Sequence, residues 1–544
     1  MNEKRIYPFE KNVIWAITIC YVLWSAAFIY RSSLVGIDGK RYFSLFDDAM
    51  ISMRYAWNLS HGIGLIWNPG EYVEGYTNLL MTLIMSFSTL VLDKSTAVLS
   101  IQILGVGFML GSAYLSMRIA DHMLQNEGHQ RKILVRTLSF LCVLFYYPLS
   151  YWSLMGMEVG LLTLLLLYSV FNVLKWVKEP TFSRLVLATV GLGLLFLTRN
   201  DSALFTILVF IYAFSEIYKS RPVKVIANYM LAALCLYGLF VIGQETFRLL
   251  YYGELLPNTY VLKLTGMTML SRISNGLGFI SVFMVLILPI LFVVILDLTY
   301  NFHKTKLFLG TLVFTAIGYQ VWVGGDPWVY WRIMSPIMPF LFVLFTQAAV
   351  MLVDAVSRTT IYKEYVLRKF VFPSQWVSVI LVLSLTLIGL LPENIRLLPQ
   401  VSLFTKPYQA NNNLDNVNIA IALNQVTKED ATIGVLWAGA IPYYTGRVSI
   451  DFLGKNDKYI ARLPPDTSGK VGWNRMNSVP GHNKYDLDYS IKAIQPTYVQ
   501  TLSYGGQDIS EWGKTKYVTV EYKGVRLLLL KDSPAVFWER VSIR

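Results

Sequence analysis

The chain has 544 residues, of which 55% are hydrophobic, 14% aromatic and only 15% charged. Soluble domains carry about a quarter charged residues, so an ordinary soluble protein is excluded and most of the chain belongs in lipid. The formal net charge of +13 does not indicate nucleic-acid binding, because the basic residues sit in short clusters between apolar runs, the positive-inside pattern of membrane proteins.

The first apolar run, 12–30, follows Lys4, Arg5 and Lys11 and ends at Tyr30-Arg31. It lacks the small residues of a cleavage site and is expected to stay as an anchor. Further nearly uncharged runs occur at 97–117, 137–157, 159–174, 185–198, 202–217, 225–243, 273–296, 307–325, 333–353 and 371–392. At about 14–24 residues they match what a hydrocarbon core demands, the shorter ones as tilted or buried helices. A shorter apolar stretch, 79–92, decides the topology.

Basic clusters follow at Arg118, Arg131, Lys132 and Arg136; at Lys175, Lys178 and Arg184; at Lys219, Arg221 and Lys224; at Lys304 and Lys306; and at Arg358, Lys363, Arg368 and Lys369. With the N-terminus inside, all five face the cytoplasm only if 79–92 does not cross. That stretch is therefore read as a re-entrant or interfacial helix, tolerable where protein surrounds it. The expected architecture is an α-helical polytopic membrane module, 1–394, with about eleven transmembrane helices and a first outer loop at 31–96. The tail, 395–544, has mixed charge and β-branched stretches at Ala431–Trp437, Val448–Phe452, Tyr498–Leu502 and Val518–Lys531, with a helical patch at 411–425. It reads as a small α/β domain on the outer, periplasmic face. Cys20, Cys142 and Cys235 each lie inside an apolar run, so no disulfide framework or Cys-based metal site is expected.

This topology gathers the polar segments on one face, as a site built from many loops would require. Asp47 and Asp48 follow the first span and open an amphipathic stretch. The structural reading of Asp47 is an N-cap; the functional one is a general base that deprotonates a hydroxyl nucleophile. A helix N-terminus also keeps a carboxylate ionised, so the two are compatible. Arg248 and Lys263 bracket an aromatic, apolar loop that suits a lipid-linked phosphate, or equally an interfacial belt with snorkelling cations. Asp326 and Arg332 could pair with each other, and Glu158 and Arg199-Asn200-Asp201 lie at outer span ends as site or structure. His482 and Lys484 read as loop residues. No His pair has metal spacing and there is no phosphate-cradling Gly-Lys-Ser/Thr loop, so neither a metal nor a cofactor is expected.

The order of motifs carries a resemblance. The acidic pair is followed by Trp67-Asn68-Pro69-Gly70-Glu71 and Glu74-Gly75-Tyr76-Thr77-Asn78. Then come Tyr251-Tyr252-Gly253, Pro257-Asn258-Thr259-Tyr260 and Gly324-Gly325-Asp326 before Arg332. The tail adds Gly439-Ala440-Ile441-Pro442-Tyr443-Tyr444, Ile450-Asp451-Phe452-Leu453-Gly454 and Pro480-Gly481-His482. Together these resemble the GT-C membrane glycosyltransferases, and within them the group typified by the mycobacterial terminal arabinofuranosyltransferase. The resemblance implies a polyprenyl-phosphate-linked sugar donor, a glycan or glycolipid acceptor and transfer on the outer face. The catalytic carboxylate would be Asp47 or Asp48, with Asp47 favoured. Donor-phosphate cations would be Arg248, Lys263 and Arg332. Glu74, Tyr76 and Asn78 would shape the sugar pocket, and Glu158, Asn258, Tyr260, Asp326 and His482 would complete the sugar and acceptor contacts. The chain departs from the family pattern at Gly156-Met157-Glu158-Val159 and Arg199-Asn200-Asp201, so arabinofuranose specificity does not carry over.

Two other classes compete with this reading. A transporter or flippase for a lipid-linked sugar would place its site near the midplane, often with internal repeats. Here the ionisable residues cluster at outer span ends and no repeat is evident. An outer-face scaffold accounts for the tail but not for an acidic pair beside a basic aromatic loop. The enzyme is the expected class.

Overall fold

The computed structural model describes residues 3–125, 127–218, 220–357, 374–388, 397–467 and 479–543. Among these, eight helices are long and apolar enough to span a bilayer: Glu10–Ser32, Lys94–Met123, Val159–Lys178, Asn200–Ile217, Val223–Tyr252, Met269–Tyr300, Lys304–Val323 and Ser335–Ser357. The run at 137–157, expected as one span, is instead the pair His129–Phe145 and Tyr147–Leu154, bent by 51°. Pro148 lies in the first turn of the second helix and has no N–H to continue the ladder.

The described residues therefore give eight candidate spans, nine if the bent pair counts as one. The remaining expected crossings, at 185–198 and 371–392, form the shorter helices Phe182–Thr198 and, among described residues, Gln375–Thr386. The stretch at 79–92 forms Leu79–Val91, 13 residues long, or about 20 Å at 1.5 Å per residue. A hydrocarbon core is about 30 Å thick. Lys219, the basic cluster at Arg358, Lys363, Arg368 and Lys369, and the boundary at 394/395 lie outside the described residues.

The bundle is layered around Ser335–Ser357, whose apolar window is 89% buried, whereas that of Val223–Tyr252 at the periphery is 11% buried. Before the central helix, Gly324 and Gly325 take φ of +96° and +78°. A Cβ on Gly325 would come within 2.7 Å of the Phe279 side chain, so only glycine permits this turn. Tyr330 and Trp331 follow with φ of 60° and 41°, a left-handed conformation that costs non-glycine residues roughly 1–2 kcal/mol each. The packed segment holds both, with the Tyr330 hydroxyl donating to Gln400 at 2.7 Å. The result brings Arg332 to Asp48 at the start of helix Asp47–Ser60.

The tail builds a six-stranded sheet in the order Ser542–Ile543, Tyr517–Tyr522, Val525–Leu530, Tyr498–Val499, Ile433–Val435, Ser449–Asp451. Ile433–Val435 pairs in parallel with both of its neighbours, and the remaining pairs are antiparallel. Helix Ala410–Val426 covers the sheet, its Leu423 and Val426 sharing a core with Val435 and Leu529. The same core takes Tyr55, Trp67 and Tyr76 from the first outer loop. Buried Arg54 secures the junction by donating to the carbonyls of Trp67 at 2.7 Å, Arg447 at 2.7 Å and Pro442. The tail is thus docked on the loop that carries the acidic pair.

Candidate active site

Asp47 and Asp48 occupy the first two positions of helix Asp47–Ser60, after Phe46 at the N-cap. The N-cap reading of Asp47 is corrected accordingly. Its carboxylate accepts instead from the backbone N–H groups of Gly439 and Ala440, each at 3.1 Å. A Cβ on Gly439 would lie 2.1 Å from the Asp47 carbonyl oxygen, so the glycine allows this approach. Asp47 is only 7% exposed. Burial pushes its carboxyl up to about 6, against the opposing pull of the Ala440 N–H and the Lys455 charge.

Asp48 stands in a different environment. Its two oxygens meet Lys455 Nζ and, at 3.1 Å, Arg332 Nη1. Arg332 Nη2 continues to Asp326 at 2.6 Å, and its guanidinium lies over the Trp152 ring at 5.7 Å. Burial would raise the Asp48 carboxyl, but Lys455, Arg332 and Lys263 outweigh it and hold it well below the ordinary carboxylate range.

Two cavities flank this network. The smaller, ≈ 90 Å³, is lined by Asp47, Asp48, Trp328, Trp437, Lys455, His482 and Tyr504, among others. Burial, then the Lys455 charge, pushes the His482 imidazole down to about 3, so it is neutral at physiological pH. The larger, ≈ 480 Å³, is lined by Arg199, Arg248, Lys263, Asp326, Tyr319 and Tyr260, with Leu255, Leu256 and Leu264 as apolar wall. Leu255, Leu256 and Tyr260 are exposed, so this cavity borders apolar surface. Pro480 lines the larger cavity and His482 the smaller, which makes Pro480-Gly481-His482 the partition between them.

Lys263 is the distinctive cation. Among the described residues it has no ion-pair partner within 4.0 Å, yet it senses Asp326 and Asp48 electrostatically. Burial, then Arg332, brings its amine down to about 8. Arg248 is the opposite case. It is clamped by Glu74 at 2.5 Å and Glu245 at 2.6 Å, and donates to Asn200 at 2.9 Å. Its charge is already compensated by the two glutamates, unlike that of Lys263, although its side chain also lines the larger cavity, and the Glu74 carboxylate is engaged in this pair.

The other expected site residues divide in the same way. Glu158 is paired with Arg199 at 2.9 Å, and Arg199 with Asp201 at 2.7 Å. Asn78 links Ser52 at 3.0 Å to Glu158 at 3.3 Å. The Tyr76 and Tyr252 hydroxyls lie 3.2 Å apart in the core. These three build walls rather than face open space. The Asn258 amide donates to the carbonyls of Gly454 and Lys455, both at 2.9 Å, and of Asp457 at 3.3 Å. It therefore positions the loop that delivers Lys455. Tyr260, Asp326 and Lys263 line the larger cavity; Asp47, Asp48 and His482 line the smaller.

Lys455, Trp437 and Tyr504 were missed. Lys455 directly follows the Ile450–Gly454 motif and was legible as an extension of it; the two aromatics carry no local signal. Among the described residues, no three His, Cys, Asp or Glu side chains converge as a metal site would require.

The model of a domain of unknown function (DUF8728) matches residues 402–535. No curated protein matches the chain. Solved structures do. ArnT from Cupriavidus metallidurans bound to undecaprenyl phosphate has a TM-score of 0.53 at 10% identity, over 95% of this chain and 98% of that one. The Archaeoglobus fulgidus oligosaccharyltransferase tethered with an acceptor peptide has 0.52 at 10% identity, over 97% and 75%. The oligosaccharyltransferase AglB of the same archaeon, in complex with an inhibitory peptide and a dolichol-phosphate, has 0.50 at 11% identity, over 98% and 76%. In overall fold, the chain is similar to these ArnT and oligosaccharyltransferase structures.

Proposed function

We propose that the chain is a glycosyltransferase that moves a hexosyl or pentosyl unit from a polyprenyl-phosphate donor to a hydroxyl of a cell-envelope glycan or glycolipid. It would act at the periplasmic face of a bacterial inner membrane, with its N-terminus in the cytoplasm and its tail outside. The observation that carries this reading is Lys263, a cation without an ion-pair partner among the described residues, on the wall of the larger cavity beside apolar surface. Arg332 and Lys455 are balanced by Asp48 and Asp326. Lys263, with no carboxylate within ion-pair distance among the described residues, is the cation available to the single negative charge of a sugar–phosphate diester. Two of the similar structures hold polyprenyl phosphates. Helix Leu79–Val91, 13 residues and about 20 Å long, is short for a hydrocarbon core of about 30 Å, which supports reading it as a segment that does not cross.

In the proposed reaction, an acceptor hydroxyl in the smaller cavity gives its proton to Asp47 as its oxygen bonds to the anomeric carbon. The bond from that carbon to the phosphate oxygen breaks, and the electron pair leaves with the phosphate, stabilised by Lys263. Asp48, held by two cations, is the electrostatic hub between them. Asp47 suits the base role because its carboxyl near 6 titrates close to operating pH.

Purified protein supplied with radiolabelled polyprenyl-phosphate sugars and glycan acceptors tests the reading. Lys263→Met is expected to raise the donor KM about 10- to 100-fold, the worth of a charge-assisted hydrogen bond, with the acceptor KM unchanged. Transfer with no change in donor KM removes Lys263 from the phosphate site.

The pH profile gives a second check. Asp47 must be deprotonated, so kcat/KM rises as pH rises through about 6; Lys263 must be protonated, so it falls as pH rises through about 8. A profile flat between about pH 5 and 7 contradicts Asp47 as the base.

A further inference from the structure

The smaller cavity differs in kind from the larger one. Its lining combines the rings of Trp328, Trp437, His482 and Tyr504 with the charged groups of Asp47, Asp48 and Lys455, and Leu436, Trp437, Lys455, His482 and Tyr504 all come from the tail. Trp328 and Trp437 have ring centroids 6.5 Å apart, tilted by 35°, and the His482 ring meets Trp328 edge-on at 5.2 Å. These walls are held in place. The Gln500 side-chain oxygen accepts from the backbone N–H groups of Leu436 at 2.8 Å and Trp437 at 3.0 Å. The Tyr504 hydroxyl donates to the His482 carbonyl at 2.9 Å. A pre-ordered aromatic surface loses little freedom on binding.

An isoprenoid chain does not fit here, because the apolar approach belongs to the larger cavity. The volume of ≈ 90 Å³ is several times the roughly 10–15 Å³ that admits one water, room for a small polar group rather than a long chain. A pyranose has an apolar C–H face that packs on indole and phenol rings, and hydroxyls at its edge that carboxylates accept.

We propose that this cavity is the acceptor subsite and takes the terminal pyranose of a glycan, its C–H face on Trp437 and one hydroxyl directed at Asp47. The inference rests on the glycosyltransferase reading and adds to it the acceptor class and the residue that selects it. Trp437 is here a binding residue, acting on the acceptor and not on the donor.

Saturation-transfer NMR on the full chain in nanodiscs tests this with four soluble probes: methyl β-D-glucopyranoside, methyl β-D-galactopyranoside, methyl α-D-mannopyranoside and methyl α-D-arabinofuranoside. The expected result is saturation of ring protons of at least one pyranoside. Its Kd should rise roughly 3- to 12-fold in Trp437→Ala, rise less in Trp437→Phe, which keeps an aromatic face, and stay unchanged in Lys263→Met. Thermal unfolding of each variant confirms that it is folded. No signal from any pyranoside, signal from the furanoside alone, or equal affinity in folded Trp437→Ala overturns the proposal. Pyranoside binding without any sugar transfer would instead sink the enzyme reading, and transfer without pyranoside binding would sink only the subsite.

Discussion

Asp47→Asn is expected to lower kcat for sugar transfer by about 10²–10⁴-fold, the usual contribution of a general base. The substitution keeps the shape and removes the proton acceptor. It also turns an amide NH₂ toward one of the two backbone N–H groups that Asp47 now satisfies, those of Gly439 and Ala440. That mismatch costs about 1–3 kcal/mol, so the variant should melt lower while remaining folded. The measurement is initial-rate transfer from a radiolabelled polyprenyl-phosphate sugar, alongside thermal unfolding in the same detergent. A folded Asp47→Asn protein with full activity would leave Asp47 only as the tether between the first outer loop and the tail.

Arg332→Met should have the largest effect on stability. Arg332 is 3% exposed and lies between Asp48 and Asp326. Its loss leaves Asp326 without that partner and Asp48 with Lys455 alone. Breaking a buried ion pair by removing one partner costs about 3–5 kcal/mol, visible as a large fall in Tm. Adding Asp326→Asn should restore part of the loss, because the charge that Arg332 compensated is then gone; the double-mutant cycle reads the coupling directly. Arg332→Lys should fall between, since an ammonium lacks the planar fork that reaches both carboxylates. An unchanged Tm in Arg332→Met, or strict additivity in the cycle, would mean that the three groups are not coupled.

Much of this molecule is legible in its sequence. The long apolar runs became helices at the expected places because a charge-free stretch of that length has no other way to satisfy its backbone in lipid. The run at 137–157 broke because Pro148 stops one helix and starts another. In the tail, 411–425 and the four β-branched stretches became the helix Ala410–Val426 and the strands at 433–435, 449–451, 498–499, 517–522 and 525–530. The Asp326–Arg332 pair, six residues apart, was also anticipated.

By itself the sequence determined the membrane class, the approximate extent of each helix and strand, and the candidate acidic pair, because each depends on composition or short-range spacing. Tertiary structure decided which charges are spent and which are free. Arg248 meets Glu74 across 174 positions, and Lys455 reaches Asp48 across 407. Asp47 accepts from the backbone of Gly439 and Ala440 in the tail rather than capping its own helix. No local pattern encodes these pairings, since the energy of a buried charge depends on whichever groups the fold brings within a few ångströms. For the same reason Lys263 stands out only in three dimensions, as a cation the described fold leaves without an ion-pair partner.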